Sequence, residues 1–264
     1  MLKKIIFLFS IFAIAALVLS TSTVLAKNDN NAVNDWVAPE QNGTYDVPGH
    51  PGLKVRVFVH HAKPDKPGPC PSSILKCDLT DPISDEIVKG AGWIIPAGTW
   101  KYRVNPNVPS TIGANLGTIV NNSFAAWMNT TDLSNSGVRL QPDGTTNINR
   151  ASLDGQNIIA WGRTSGSALG VTYIWYKNGV AKELDTIMNE KSSWSWGGGG
   201  TTCAYTNVYD AQDILTHELG HWFGLDDEYD LKYQNNTMYG YGSTWEVKKD
   251  TLTAGDIAGI NALY

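Results

Sequence analysis

The chain has 264 residues, 42% hydrophobic and 17% charged, with a formal net charge of −5. That length suffices for one sizeable core. The acidic balance excludes a nucleic-acid partner, which requires a clustered positive field; Lys248 and Lys249 form only a lone pair, expected in a solvated turn.

In chain order, Lys3 and Lys4 precede an apolar stretch over 5–19, and Val24-Leu25-Ala26 supplies cleavage positions. This pattern predicts a secretory signal over 1–26. The apolar run is short for a membrane span. The mature protein is therefore expected outside the cytoplasm, secreted, free of the membrane after cleavage, and a monomer. Cys70, Cys77 and Cys203 make an odd count, so one disulfide and one free thiol are expected. A local Cys70–Cys77 pair and a long-range Cys77–Cys203 pair both stand open.

Residues 27–50 are polar. Residues 53–60 alternate as a strand does, with Leu53, Val55, Val57 and Val59 on one side and Lys54, Arg56, Phe58 and His60 on the other. His60 and His61 at its end are expected to be exposed. A Pro-rich linker follows over 64–71. Residues 27–92 therefore read as an N-terminal extension or propeptide, and 93–264 as one compact domain. Within it the pattern predicts a strand at 99–104 and an amphipathic helix from Ser110 to about Met128, carried by Ile112, Leu116, Ile119, Val120 and Trp127. Short strands are predicted at 137–141 and 157–161. Asn178-Gly179 signals a hairpin between 168–176 and 180–189. A helix is predicted over 209–223 with Asp210 at its start, and a closing helix whose Thr253 and Asp256 form a capping-box-like pair.

The chemistry is concentrated in the run from His217 to Asp227. On a helix, positions i and i+4 share a face. His217 and His221 can therefore reach one metal ion. Glu218 is displaced by about 100° around the helix and can act on a water as general base. A catalytic zinc takes three protein ligands and keeps one position open. Gly224, just past the helix, permits the left-handed turn that would bring Asp227 to the same ion as third ligand. Asp226, Glu228 and Asp230 are neighbours that could substitute for it. A structural zinc site would need four ligands, and three are in register.

This extended run resembles the zinc-binding helix of the metzincin metallopeptidases, in the form with Asp as third ligand found in snapalysin-like enzymes. Asn236-Thr237-Met238-Tyr239-Gly240 resembles the Met-turn of that clan, with Met238-Tyr239 in the matrixin form. Residues 252–264 resemble the closing helix of matrixin catalytic domains, and 102–127 and 154–194 resemble that domain more loosely. The resemblance implies an α+β fold: a twisted mixed sheet with an antiparallel edge strand, a long active-site helix and a C-terminal helix. It also implies one catalytic Zn2+ and Met238 as the floor of the metal site; a structural Ca2+ is an option from the residues themselves, held by the cluster of Asp226, Glu228 and Asp230. Protein or peptide substrates would bind by strand addition at 168–176. The implied activity is that of a secreted zinc endopeptidase; the alternative is a catalytically silent peptide-binding module. Two departures are evident. The surroundings of Cys70 do not match a cysteine switch, and Gly255-Asp256 stands where matrixins often carry two adjacent Asp residues.

Overall fold

The computed structural model describes residues 36–63, 75–77, 81–198, 203–205 and 207–264. The expected signal at 1–26, Cys70 and the Pro-rich run after Lys63 lie outside them. The architecture is α+β, as expected. Eight strands form one mixed sheet: β1 (Gly43–Asp46), β2 (Lys54–Ala62), β4 (Gly98–Val104), β5 (Val138–Thr145), β6 (Asn157–Gly162), β7 (Ala168–Lys177), β8 (Val180–Asn189) and the two-residue β12 (Tyr241–Gly242). Their order is β1-β2-β7-β8-β6-β4-β5, with β12 beside β2. The β5, β4, β6 and β8 strands run parallel, and β8, β7, β2 and β1 alternate in direction. Two small ladders lie apart, β3 (Leu75–Cys77) with β10 (Cys203–Tyr205), and β9 (Trp194–Ser195) with β11 (Tyr209–Asp210).

Local chemistry explains most of these elements. Asn178 and Gly179 both have positive φ, 52° and 73°, the pair a tight hairpin turn of primed type demands. Near-continuous apolar runs in β6 and β7 match strands covered on both faces. The long helix expected from Ser110 is instead two: α1 (Ser110–Gly113) and α2 (Leu116–Met128). Gly113 and Asn115 are poor helix formers, and Asn115 leaves helical geometry at φ −109°, ψ 1°. The apolar stripe survives the break, because Ile112, Ile119, Val120 and Trp127 are all buried. The short α3 (Thr131–Asn135) follows.

Helix α4 (Ala211–Trp222) is buried along its whole length. Its N-cap, Asp210, accepts hydrogen bonds from Gln212 N at 2.9 Å and Asp213 N at 3.1 Å. Trp127 of α2 donates to Thr216 O at 2.8 Å and locks the two helices together. The C-terminal helix α5 (Ala254–Asn261) carries the expected capping box between Thr253 and Asp256.

Expectations change on two counts. First, the strand at 168–176 was expected at an edge of the sheet, but β2 pairs along β7 from Lys54 opposite Tyr176 to His61 opposite Ala168, so β7 is not an edge. The expected alternation holds: Val55, Val57 and Val59 enter the apolar cluster on one face of the sheet, and Phe58 enters the cluster under the helices on the other. His60 is fully buried and not exposed. Second, Lys249 is also fully buried, and not in a solvated turn. Its ammonium donates to Tyr239 O and lies 3.3 Å from His60 Nε2, and its backbone N–H donates to Asp213. Of the two cysteine pairings left open, the long-range one suits the structure: Cys203 is disulfide-bonded, and the residue across the ladder from it is Cys77.

Asp250 adjoins this buried lysine. Burial, with Asp213, Asp210 and Asp81 nearby, pushes its carboxyl up to about 8. A folded-state value above the unfolded one means stability that is full below about pH 4 and is lost as pH rises through 8. Asp250→Asn should therefore melt with the parent near pH 4 and several degrees above it at pH 8.5, measured by thermal denaturation across that range.

Candidate active site

Helix α4 carries His217 and His221 one turn apart, both with no exposed surface. His217 Nδ1 lies 2.8 Å from Thr237 O, and His221 Nδ1 lies 2.9 Å from Leu225 O. A carbonyl only accepts, so in the neutral rings each proton sits on Nδ1 and each Nε2 presents a lone pair. Both lone pairs face Asp227 Oδ1, at 3.1 Å from His217 and 3.5 Å from His221. These contacts resemble ion pairs by distance, yet none of the three atoms has a hydrogen-bond donor. The Asp227 carboxylate favours the charged form of His221; in the neutral rings that a metal ligand needs, the three atoms are acceptors facing acceptors in a dry interior. A cation between them resolves the conflict: ligands at roughly 2.0–2.1 Å from a tetrahedral zinc stand about 3.3 Å apart. The donor set, two imidazoles and a carboxylate, suits that ion.

The turn that delivers Asp227 is built as the spacing predicted. Gly224 has φ 95°, and N–H groups of Gly224 and Leu225 return to His221 O and Gly220 O at 3.0 and 3.2 Å, a Schellman closure. A Cβ on Gly224 would come 2.2 Å from Trp93 O. Of the four consecutive-region acids, Asp227 alone faces the histidines. Asp226 pairs with Arg56 at 3.3 Å, Glu228 accepts from Lys89 N at 3.1 Å, and Asp230 starts a short 3-10 helix. Tyr229 OH donates to the second oxygen of Asp227 at 3.0 Å.

Glu218 lies beside the pair. Thr172 Oγ1 on β7 donates to its Oε2 at 2.5 Å, and Oε1 has no partner. Thr172 is itself 2.7 Å from Thr186 Oγ1, which accepts from Trp222 Nε1 at 3.0 Å. With the Trp222 and Thr172 protons assigned, the Thr186 hydroxyl donates to Thr172, and the chain runs one way toward the carboxylate. Burial pushes the Glu218 carboxyl up to about 7. Burial likewise drives His217 down to about 3, the neutral form a ligand needs. Beneath, Met238 is fully buried under Gly220, where a Cβ would lie 2.3 Å from Met238 Sδ. The Met238 turn is held by Asp256, which accepts from Thr237 N at 2.9 Å and Met238 N at 3.3 Å.

A family model of matrixins, a peptidase family, matches residues 93–264. The chain belongs to the matrixin family. Comparison with curated proteins finds no match. Membership makes the chain a metzincin-like metallopeptidase, a hydrolase of peptide bonds, and implies zinc. Among the described residues, groups of three His, Cys, Asp or Glu side chains within ligating reach occur twice: His217, His221 and Asp227; and His60, His217 and Glu218. Neither is the all-oxygen set that calcium takes. No described helix is long and apolar enough to cross a membrane.

Several residues of the site were not found by sequence reasoning. Phe58 stacks on His221 with centroids 3.7 Å apart and planes 5° from parallel, and His60 meets His217 edge-on at 3.9 Å. Thr172 carried no signal in the sequence, and Lys249 read as a solvated charge. The one signal in the sequence was that Phe58 and His60 share a strand face with Arg56.

Gly224→Ala should cost about 1–3 kcal/mol from its backbone conformation alone, with more from the clash at Trp93 O. Urea unfolding of the metal-loaded and chelated forms should show the larger loss in the loaded form, since the turn sets Asp227.

Proposed function

We propose that this matrixin is a secreted zinc-dependent endopeptidase, exported by the signal at 1–26, with residues 27–92 an N-terminal extension or propeptide and 93–264 the catalytic domain. His217, His221 and Asp227 are its metal ligands, Glu218 its general base and Met238 the apolar floor of the site. The observation that carries this reading is the meeting of three donor-free acceptor atoms in a dry pocket beside a carboxylate with one free oxygen. Zinc, when bound there, supplies a Lewis acid that polarises the scissile carbonyl and acidifies water.

The chain's own groups do the rest. Glu218 Oε1 takes a proton from the attacking water and passes it to the leaving amine as the C–N bond breaks. Thr172 fixes Oε2, so the other oxygen is the one that works. Thr237 O and Leu225 O hold the imidazoles with Nε2 inward. Protein or peptide chains are the substrates, matching the peptidase family.

Glu218→Ala should keep one zinc per chain and lose at least about 100-fold in casein cleavage, read by zinc quantification beside a proteolysis assay. A protein that keeps its zinc and still cuts would refute the assignment of the base. Asp227→Ala should instead lose the metal, with affinity reduced at least about 100-fold in chelator competition. Chelation of the parent should abolish cleavage, and added zinc should restore it.

A further inference from the structure

Strand β2 lies outside the matched range 93–264, yet it fills a slot which that range builds. One wall is β7, the strand expected to receive substrate. The other, at His61 and Ala62, is β12, which runs parallel to β2 there, with Lys63 N donating to Gly242 O at 2.8 Å; over Lys54–Val57 that side of β2 is taken by β1, itself outside the matched range. The slot passes over the histidines of α4. Phe58 covers His221, and two residues on, His60 covers His217.

The His60 ring is fully buried against His217, Gly242 and Lys249, and Ile214 and Leu169 also approach Gly242. A Cβ on Gly242 would lie 2.9 Å from His60 Nε2, so this chamber needs glycine to admit the ring. Lys249 closes its end, with Nζ 3.3 Å from His60 Nε2. Burying an ammonium is costly unless it is hydrogen-bonded. A chamber meant for apolar side chains would gain nothing from one. This ammonium donates to Tyr239 O, has the Asp213 and Glu246 carboxylates near it, and lies against the side chain that enters the chamber.

We propose that β2 occupies the channel of a substrate strand, with His60 seated in the specificity chamber and Lys249 as the residue that reads it. The proposal rests on the endopeptidase reading. It makes the chain with β2 in place self-occluded. It also assigns a substrate class: peptides that place a hydrogen-bond-accepting side chain, His, Glu or Gln, in that chamber, in preference to large apolar ones.

The test uses the full, zinc-loaded chain and two readouts, hydrogen exchange of amides 54–62 and casein cleavage with the cut sites mapped. In the parent, β2 should be protected and cleavage slow. His60→Lys sets ammonium against ammonium; exchange in β2 and casein cleavage should each rise at least tenfold. Adding Lys249→Glu to His60→Lys should restore protection and latency. In the open His60→Lys chain, mapped cuts should flank His, Glu or Gln, and adding Lys249→Met should move them to apolar residues. If His60→Lys does not fold, His60→Ala carries the same test with smaller changes. A parent that cuts at the open rate with β2 still protected overturns the occlusion and leaves the endopeptidase reading standing. Cut sites indifferent to Lys249→Met overturn its role as reader. If β2 opens, zinc stays bound and no chain cuts, the endopeptidase reading fails and this proposal falls with it.

Discussion

Three acceptor atoms in a dry interior, His217 Nε2, His221 Nε2 and Asp227 Oδ1, face one another with no donor between them. Lone pairs so placed repel, and only surrounding structure keeps them together. Much of the domain serves that end. Carbonyls of Thr237 and Leu225 set the ring tautomers, Gly224 turns the chain back, and Asp256 pins the Met238 turn from the closing helix. A single carboxylate at the start of α5 thus ties the C-terminus of the chain to the floor of the site.

The carboxylate beside the cluster is held with equal care. The one-way chain from Trp222 through Thr186 and Thr172 to Glu218 joins the active-site helix to two strands of the sheet. It leaves one oxygen anchored and one free. Gly170 lets β7 come close enough to make this contact, since a Cβ there would lie 2.5 Å from Glu218 Oε1. The sheet therefore sets the position of this carboxylate and does not only support the helix.

The N-terminal strand adds a second constraint. With Val55, Val57 and Val59 in one cluster and Phe58 in the other, β2 is anchored through both faces of the sheet. Hydrophobic burial of this kind is worth about 1.5–3 kcal/mol for each fully buried large side chain, so vacating the slot is not spontaneous fraying. The buried His60–Lys249 contact is the polar element in that seat, and a polar contact is the one that a charge change can reverse.

The sequence by itself determined what depends on local periodicity. The spacing of His217, His221, Gly224 and Asp227 is set by the pitch of one helix and the freedom of one glycine. The Asn178-Gly179 hairpin and the Thr253–Asp256 cap likewise need only neighbouring residues. Even the faces of β2 were legible from its alternation. Only the tertiary structure decided where those faces go. Strand pairing joins residues more than a hundred positions apart, and nothing in the run from Lys54 to His60 encodes β7 as its partner. The same holds for Lys249, which reads as a surface charge until the fold wraps Asp213, Tyr239 and His60 around it, and for Thr172, whose role exists only where β7 crosses α4.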